Sequence, residues 1–415
     1  MQLETLLTKA PNTTKWLFKA AQNLSSPPVL INTFMEHLNQ DGFSILRSNS
    51  SLAGLHPEIS ARFYRWKLKD VDEIIPLEDL RVATYIHEYE NGIVTEIFWG
   101  YQAKVQEAYK AGPWNNILEK GQILRHRIKP DEKDFEFPIF KDLQKLGVTD
   151  YLGIPINLKS GARNGMTLAT NKHGGFTDWE IEIIIELANQ LMLHIEPYQE
   201  RQTTRTLLAT YLGSKTGERV LNGQIRRGDV EKIESAIWFS DLRDFTNLSN
   251  QINSEELIQV LNLYFENIAK IISQYEGEIL KFIGDAVLAI FPVSNSANST
   301  EACHRALEAT QKVNFELEIL NESRIKQRLP ILNHGIGLHV GTVQYGNIGA
   351  LDRLDFTVIG QAVNLASRIE GLCSKLEKKS LASEAFANSV EYEMEYVGDY
   401  ELKGFSNNQK IYSLK

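Results

Sequence analysis

The chain has 415 residues, of which 43% are hydrophobic and 23% are charged, a composition typical of globular proteins with a large buried core. This length predicts two or three domains. The 44 Lys and Arg against 53 Asp and Glu give a net charge of −9, which excludes a basic surface for nucleic acids or anionic membranes, so neither is expected as a partner.

The cysteine count and the hydropathy pattern indicate the compartment. Only Cys303 and Cys373 are present, which excludes a disulfide framework and a Cys-rich metal site. The first residues lack the basic start and apolar core of a secretory signal, and no apolar run reaches the roughly 18 residues of a membrane span. We therefore expect a cytoplasmic protein without a membrane span.

Residues 1–196 are predicted to form an N-terminal α/β domain of short helices and strands. Thr177 and Glu180 have the spacing of a capping box and mark the start of its last helix, in which apolar residues recur at helical spacing up to Ile195. Pro197 is expected to kink or end this helix. Residues 197–230 are polar and contain several glycines, which predicts a linker of short helices.

Residues 231–415 alternate between strand and helix patterns, which predicts a second domain of the α+β class. The first predicted elements are a strand over 235–240 that ends at Asp241, a helix over 254–275 stopped by Gly277, and strands over 278–283 and 286–291 in a hairpin about Gly284-Asp285. A helix over about 300–323 and a strand over 333–341 follow, and this strand leads into a glycine-containing loop. A helix over 362–372 and two late strands complete the domain. This is the βαββαβ order of a ferredoxin-like sandwich, whose helices cover one face of the sheet.

Apolar residues alternate on both faces of the predicted hairpin, among them Leu280 and Phe282 on one face and Ile279 and Ile283 on the other. A sheet face without helices needs another cover, and a second copy of the same domain would supply it. We therefore expect a homodimer.

Asp241 and Asp285 are the first candidates for chemistry. The βαββ topology brings the end of the first strand next to the hairpin tip, and two carboxylates held there would repel unless they share a proton or a cation. Oxygen ligands select Mg²⁺ or Mn²⁺, which suggests a two-metal site for phosphoryl or nucleotidyl transfer. The alternative is that Asp241 caps a helix and Asp285 is an ordinary turn residue.

Asn364 and Arg368 lie four residues apart on a predicted helix and therefore share one face. An amide can orient a ribose, and a guanidinium can bind a phosphate through two hydrogen bonds. On their own, two such residues more often belong to a solvated helix face.

Four sequence blocks occur in order: FSDLRDFT at 239–246, KFIGDAVLAIF at 281–291, HVGTVQYGNIG at 339–349 and DFTVIGQAVNLASRIE at 355–370. In motif and spacing they resemble the class III nucleotidyl cyclases, the adenylate and guanylate cyclases, and the resemblance extends from about 233 to 412. It implies an enzyme that converts a nucleoside triphosphate into a 3′,5′-cyclic nucleotide and pyrophosphate.

The resemblance also implies a role for each matched residue. Asp241 and Asp285 match the family's metal-binding aspartates, with the Leu242 carbonyl as a further ligand, for two Mg²⁺ or Mn²⁺ ions per site. Asn364 and Arg368 match the pair that holds the ribose and stabilises charge on the α-phosphate. The remaining matches are predicted to bind substrate: Lys281, Thr357, Lys403, Arg353, Phe245 and Thr246. In the family the metal aspartates come from one subunit and the Asn, Arg and base-reading residues from the other, which implies a homodimer with composite sites.

Lys281 and Thr357 match the family's two base-selecting positions. A lysine can only donate hydrogen bonds, which suits the N1 acceptor of adenine but not the N1–H of guanine, and the Thr357 hydroxyl can accept from adenine N6. The pair therefore predicts ATP rather than GTP as the substrate.

Three alternative functions are compared with this reading, and two of them remain open. The chain could be a guanylate cyclase or a nucleotide-binding module that has lost turnover; a diguanylate cyclase would need a GGDEF-like hairpin, whereas this chain has FIGDA. The chain also departs from the family at Asp244, where many relatives have glycine in the phosphate-binding turn. The sequence leaves open whether this acid faces the phosphates.

Residues 149–196, with YLGIPINLKSGARNGMTLATN followed by GGFTDWEIEIIIELANQLMLHIE, resemble the last strands and final helix of a GAF sensory domain. The resemblance implies a regulatory domain that acts on the cyclase through the linker. Neither cysteine lies in this region, which excludes a thioether-linked bilin. A noncovalent small ligand in an apolar pocket and a structural role in dimerisation both remain open, and the sequence does not give the sign of regulation.

Overall fold

A computed structural model of the chain describes residues 3–23, 26–53, 56–72, 81–101, 107–110, 112–157, 163–293 and 299–414. The chain divides into two compact units, Met1–Leu207 and Leu208–Lys415. Within the described residues, none of the helices combines the length and the apolar composition needed to cross a membrane.

The N-terminal unit contains an antiparallel sheet of seven described strands in the order β3-β4-β2-β1-β7-β6-β5. These strands are β1 (Ile45–Ala53), β2 (Ile59–Leu68), β3 (Arg81–Glu88), β4 (Gly92–Gly100), β5 (Leu124–Arg127), β6 (Asp150–Asn157) and β7 (Arg163–Thr170). The helices are α1 (Leu3–Lys9), α2 (Pro11–Lys19), α3 (Pro27–Gln40), α4 (Glu107–Lys110), α5 (Pro138–Lys145) and α6 (Asp178–Leu212), with a 3-10 turn at Ala21–Asn23 and a π-helical turn at Asn115–Glu119.

The core of this unit is built on both faces of the sheet. Helices α3 and α6 bury Phe34 and Leu187 together with Trp66 of β2 in one apolar cluster. A second cluster joins Phe140 of α5 to Tyr151 of β6. The unit is thus mixed α and β, as predicted, while its likeness to a GAF domain stays a prediction; residues 158–162 of the GAF-like block lie outside the described residues.

Helix α6 begins as the sequence predicts and ends later. The Thr177 backbone N–H donates to Glu180 Oε2 at 2.8 Å, and the Glu180 N–H donates back to Thr177 Oγ1 at 3.4 Å, which confirms the capping box. Pro197 does not end the helix, which continues to Leu212, while a kink at Pro197 stays a prediction. Pro197 lies on the exposed side, where water can satisfy the carbonyl that loses its N–H partner.

The C-terminal unit contains a sheet of eight described strands in the order β14-β15-β13-β11-β8-β10-β9, with β12 paired to β11. The strands are β8 (Val230–Leu242), β9 (Glu278–Ile283), β10 (Ala286–Pro292), β11 (His334–Gly349), β12 (Leu354–Ile359), β13 (Ser380–Ser383), β14 (Glu395–Tyr400) and β15 (Gln409–Ser413). The helices are α7 (Ser214–Leu221), α8 (Phe245–Gln251), α9 (Ser254–Gln274), α10 (Ser299–Lys326), α11 (Gln361–Lys375) and α12 (Glu384–Ala387).

The elements β8, α9, β9, β10, α10 and β11 follow the βαββαβ order, and their strands lie side by side as β11-β8-β10-β9. Helices α9 and α10 cover one face, where Tyr264 and Ala306 pack against Trp238 of β8. The start of α9 is fixed by Asn253, whose Oδ1 accepts the Glu256 N–H at 2.9 Å. After the end of α9, Glu276 and not Gly277 adopts the left-handed backbone conformation, with φ 58°.

The prediction that helices cover only one face is wrong, because α11 packs on the opposite face of β8 and β11. Gly337 of β11 permits this approach: a Cβ at that position would lie 2.2 Å from the Ala366 carbonyl oxygen of α11. The middle of the hairpin is covered as well. Leu288 and Ile290 of β10 belong to a buried cluster with residues of β11, β12 and α11. The open sheet face therefore no longer argues for a homodimer.

Strand β11 also differs from its prediction. The glycine-containing segment after Gly341 was expected to be a loop, but the strand continues to Gly349 and pairs with β8 and β12. Gly346 is extended with φ 155°, and a Cβ there would lie 2.1 Å from the Asp229 carbonyl oxygen. These glycines thus serve close strand approach and not chain reversal.

Candidate active site

Asp241 and Asp285 approach each other as the topology predicts. Asp241 is the penultimate residue of β8, and Asp285 lies in the two-residue turn between β9 and β10. Because Val287 of β10 pairs with Ser240, the hairpin turn lies beside the end of β8. Burial and the neighbouring Asp285 carboxylate raise the pKa of Asp241 to about 6.

The chemistry of this pair fits a divalent cation. Asp241 Oδ1 is buried and has no hydrogen-bond partner. No three His, Cys, Asp or Glu side chains are grouped as metal ligands in the part of the chain that the structure describes. Mg²⁺ is commonly held by one or two protein carboxylates together with substrate phosphates and water, so a pair of aspartates fits such an ion. Leu242, buried at the end of β8, follows Asp241 directly.

A third acid near the pair was not predicted from the sequence. Gly335 of β11 pairs with Asp241, and a Cβ on Gly335 would lie 2.5 Å from Glu370 Oε1 of α11. Burial, followed by the charge of Asp241, raises the pKa of Glu370 to about 7. Glu370 ends the fourth sequence block, and only the packing of α11 against β11 reveals that it faces the aspartates.

The turn after Asp241 explains the departure at Asp244. Asp244 is left-handed, with φ 57°, a conformation that glycine adopts most easily and that Asp tolerates better than most residues. Its Oδ2 accepts a hydrogen bond from the Asn247 side-chain amide at 3.0 Å. Phe245 and Thr246 follow as the first residues of the short helix α8.

Asn364 and Arg368 are exposed and lie one turn apart on α11. Leu365 and Ile369, each one residue further along and about 100° around the helix, are buried. Residues along an α-helix are spaced by about 100°, so Arg368 points roughly 200° away from Glu370, which faces the aspartates. On this helix geometry the exposed Arg368 is turned away from the side of α11 that faces Asp241 and Asp285 of the same chain.

The two predicted base-reading residues lie on neighbouring strands. Lys281 is on β9 and Thr357 is on β12, where Thr357 pairs with Gly346 of β11. The Lys281 Nζ donates to Asp355 Oδ2 of β12 at 2.6 Å. Sequence reasoning did not single out Asp355, because no pattern links two residues 74 positions apart.

The two predicted phosphate-binding residues lie on exposed turns. Arg353 precedes β12, in a turn closed by a hydrogen bond from the Ala350 N–H to the Arg353 carbonyl at 2.9 Å. Lys403 follows the buried Leu402, in a turn closed by a hydrogen bond from the Phe405 N–H to the Leu402 carbonyl at 3.0 Å. Both cations are therefore available at the surface and do not support the core.

Comparison with known proteins finds a matching family for the C-terminal part of the chain. The family model of the adenylate and guanylate cyclase catalytic domain matches residues 229–415. The chain is 31% identical over 185 residues to Adenylate cyclase 1 of Rhizobium meliloti, covering 44% of this chain and 27% of the relative. It is 37% identical over 166 residues to the adenylate cyclase of Anabaena cylindrica, covering 40% of this chain and 32% of the relative.

One solved structure with a similar sequence is that of the adenylyl cyclase CyaB from P. aeruginosa. It is 30% identical, with a TM-score of 0.42, and the match covers 45% of this chain and 96% of that chain. The match to the curated relatives spans about a third of their length or less.

Proposed function

The chain belongs, through residues 229–415, to the class III adenylate and guanylate cyclases, and we propose that it converts ATP into 3′,5′-cyclic AMP and pyrophosphate. In this reaction the ribose 3′-oxygen loses its proton and bonds to the α-phosphorus, while the bond from that phosphorus to the pyrophosphate oxygen breaks. We further propose that the reaction takes place in the cytoplasm.

The observation that carries the proposal is the pair of carboxylates at the end of β8 and the tip of the hairpin. Asp241 keeps a buried oxygen without a partner, and burial together with the proximity of Asp285 raises its pKa, so the pair is suited to gain a divalent cation. In our proposal Asp241, Asp285 and the Leu242 carbonyl hold Mg²⁺ or Mn²⁺. When bound, two such ions would supply the charge that activates the 3′-hydroxyl and neutralises the triphosphate.

The exposed face of α11 supplies the other half of the proposed site. Asn364 would orient the ribose, and the Arg368 guanidinium would stabilise the charge that develops on the α-phosphate. Lys403 and Arg353 would bind the terminal phosphates, and Phe245 and Thr246 would contact the substrate from the turn after Asp241. Because the exposed face of α11 that carries Asn364 and Arg368 is turned away from the aspartates of its own chain, we propose a homodimer in which each site takes its halves from two copies.

Adenine specificity is proposed from hydrogen-bond polarity. The Lys281 ammonium can only donate, which matches adenine N1, and the Thr357 hydroxyl can accept from the adenine amino group. Guanine would present an N1–H to the Lys281 ammonium and leave both donors unpaired, which would be penalised strongly once the bound base excludes water from the two groups.

Regulation by residues 1–196 through the linker at 197–230 is a further part of the proposal, supported by the GAF-like block. The ligand would be a small molecule bound without a covalent link.

The proposed roles are tested by Asp241→Ala, Asp285→Ala and Arg368→Ala in the full chain. Each variant is expected to lose at least about a hundredfold in turnover of ATP, since each removes a group that stabilises charge in the transition state. The control is Asp352→Ala, which removes an exposed acid in the turn before β12 and is expected to retain the wild-type rate. Circular dichroism checks the fold, and full activity in any of the three variants would refute the role of that residue.

A further inference from the structure

Lys281, the proposed base-reading residue, forms an ion pair within its own chain. Its Nζ lies 2.6 Å from Asp355 Oδ2, and the two side chains are 43% and 50% exposed. The hydrogen bond with Lys281 lowers the pKa of Asp355, which keeps this side chain a carboxylate. Asp355 belongs neither to the proposed metal pair nor to the proposed ribose and phosphate contacts.

A β-bulge in β9 directs Lys281 toward β12. Lys281 pairs with Leu288 of β10, but the next residue, Ala289, pairs with Ile279, so that Leu280 is the additional residue. Bulges redirect side chains relative to the regular alternation of a strand. Ile279 packs with the cluster under α9, whereas Leu280 packs with the cluster that contains Phe356 and Val358 of β12. Residues paired across strands share a face, so Lys281 shares the face of Leu288, which packs with that same cluster.

Asp355 and Thr357 are two residues apart on β12 and therefore lie on the same face of this strand. The carboxylate that holds Lys281 thus stands next to the hydroxyl proposed to accept from the adenine amino group. Asp355 thus bonds to one proposed base-reading group, Lys281, and shares a strand face with the other, Thr357.

The ion pair with Asp355 fixes the orientation of the Lys281 side chain. Exposed ion pairs contribute little to stability, so the fold does not depend on Asp355. A lysine side chain has four rotatable bonds, and fixing it before the ligand arrives reduces the entropy lost on binding. An ammonium group has three N–H donors. One can bond to Asp355 while the other two remain for the base.

We propose that Asp355 is a positioning residue for adenine recognition, which holds the Lys281 ammonium where it donates to N1 of the base. This inference rests on the proposed function, because it assigns the base site of the same reaction.

The test compares Asp355→Ala with Asp352→Ala, which removes an exposed acid of the neighbouring turn, in the full chain. We expect Asp355→Ala to raise the KM for ATP about tenfold, with kcat changed by less than about twofold, because an ionic hydrogen bond orients the binding group and does not touch the reacting atoms. The melting temperature should stay at the wild-type value. Asp352→Ala should leave all three quantities unchanged, and Asp355→Glu should restore part of the KM.

A double-mutant cycle with Lys281→Ala separates positioning from a structural role. If Asp355 acts through Lys281, adding Asp355→Ala to Lys281→Ala should raise the KM no further. The inference is overturned if Asp355→Ala raises the KM equally with and without Lys281, leaves the KM unchanged, or lowers kcat and the melting temperature together.

Titration with 3′-deoxy-ATP, which lacks the attacking hydroxyl, keeps the inference distinct from the proposed reaction. If the wild-type chain binds this analogue but forms no cyclic AMP from ATP, the proposed function is contradicted. In that case weaker binding by Asp355→Ala than by Asp352→Ala still supports the positioning role. Equal binding by the two variants, or no binding by the wild type, overturns it.

Discussion

The carboxylates of Asp241 and Asp285 repel each other at a half-buried position, and the chain retains them although the repulsion weakens the metal-free fold. Burial and the Asp285 carboxylate raise the pKa of Asp241 from its ordinary value of 3.8 to about 6. Between these two pKa values the folded chain keeps the Asp241 proton that the unfolded chain has released. The contribution of Asp241 to stability therefore falls as the pH rises from the lower pKa to the higher one. At neutral pH the charged pair therefore destabilises the fold, and a divalent cation, as proposed, would neutralise it.

Replacing Asp241 by Asn is predicted to stabilise the metal-free chain while abolishing turnover. Removal of one charge should raise the free energy of unfolding at pH 7.5 by about 1 kcal/mol after allowance for solvent screening, or roughly 2–4 °C in melting temperature. Thermal unfolding in the presence of a chelator measures this shift. Adding Mg²⁺ should stabilise the wild type more than the variant. A lower melting temperature for Asp241→Asn without metal would contradict the account of this pair.

At the scale of single elements, helix α7 is attached to the sheet by a small buried polar cluster. Thr216 of α7 donates to Glu278 Oε1 of β9 at 2.8 Å, and the Tyr345 hydroxyl of β11 donates to the same oxygen at 2.9 Å. Thr216 is 1% exposed, Glu278 7% and Tyr345 1%. The Arg219 guanidinium lies 4.8 Å from the centre of the Tyr345 ring. A buried carboxylate needs such donors, so α7 is positioned by the strand that carries Lys281.

Replacing Thr216 by Val is predicted to destabilise the C-terminal unit. The change keeps the shape of the side chain and removes one donor from the buried Glu278 carboxylate, which should lower the free energy of unfolding by about 1–2 kcal/mol. Urea unfolding compares it with Thr204→Val on α6, whose hydroxyl is exposed and should be dispensable. Equal stability of the two variants would show that the cluster does not hold α7.

The elements that could be predicted from the sequence are those with a local pattern. The hairpin about Gly284-Asp285 has a two-residue turn, and α9 has an apolar stripe, so both are found within one or two residues of their predicted bounds. The glycine-containing segment after Gly341 misled the prediction in β11, because Gly346 makes room for the chain at Asp229, a need that is not visible locally. Pro197 misled it because an exposed helix side tolerates a lost hydrogen bond.

The residues of the candidate site also fall into those that the sequence could predict and those that it could not. Asp241 and Asp285 could be placed together because strand order alone brings the end of β8 to the hairpin turn. The Lys281–Asp355 pair and the approach of Glu370 depend on a bulge and on helix packing, which three-dimensional contacts reveal and spacing does not.

At the scale of the whole molecule, the opposite directions of the two proposed half-sites favour an assembly of two chains. Mixing Asp241→Ala chains with Arg368→Ala chains is therefore predicted to recover activity. Each mixed dimer would contain one site built from two intact halves, so random pairing of equal amounts should give about a quarter of the wild-type rate. The control mixes Asp241→Ala with Asp285→Ala, which damage the same half. Activity of the first mixture that stays at the sum of the separate variants would contradict a composite site.

The most direct test of the central claim is product formation by the full chain with ATP or GTP, each with Mg²⁺ or Mn²⁺. We predict cyclic AMP and pyrophosphate from ATP, at a rate at least about tenfold above cyclic GMP formation from GTP, because the donor-only Lys281 opposes guanine. Formation of cyclic GMP at an equal or higher rate, or of no cyclic nucleotide with either metal, would contradict the assignment of an adenylate cyclase.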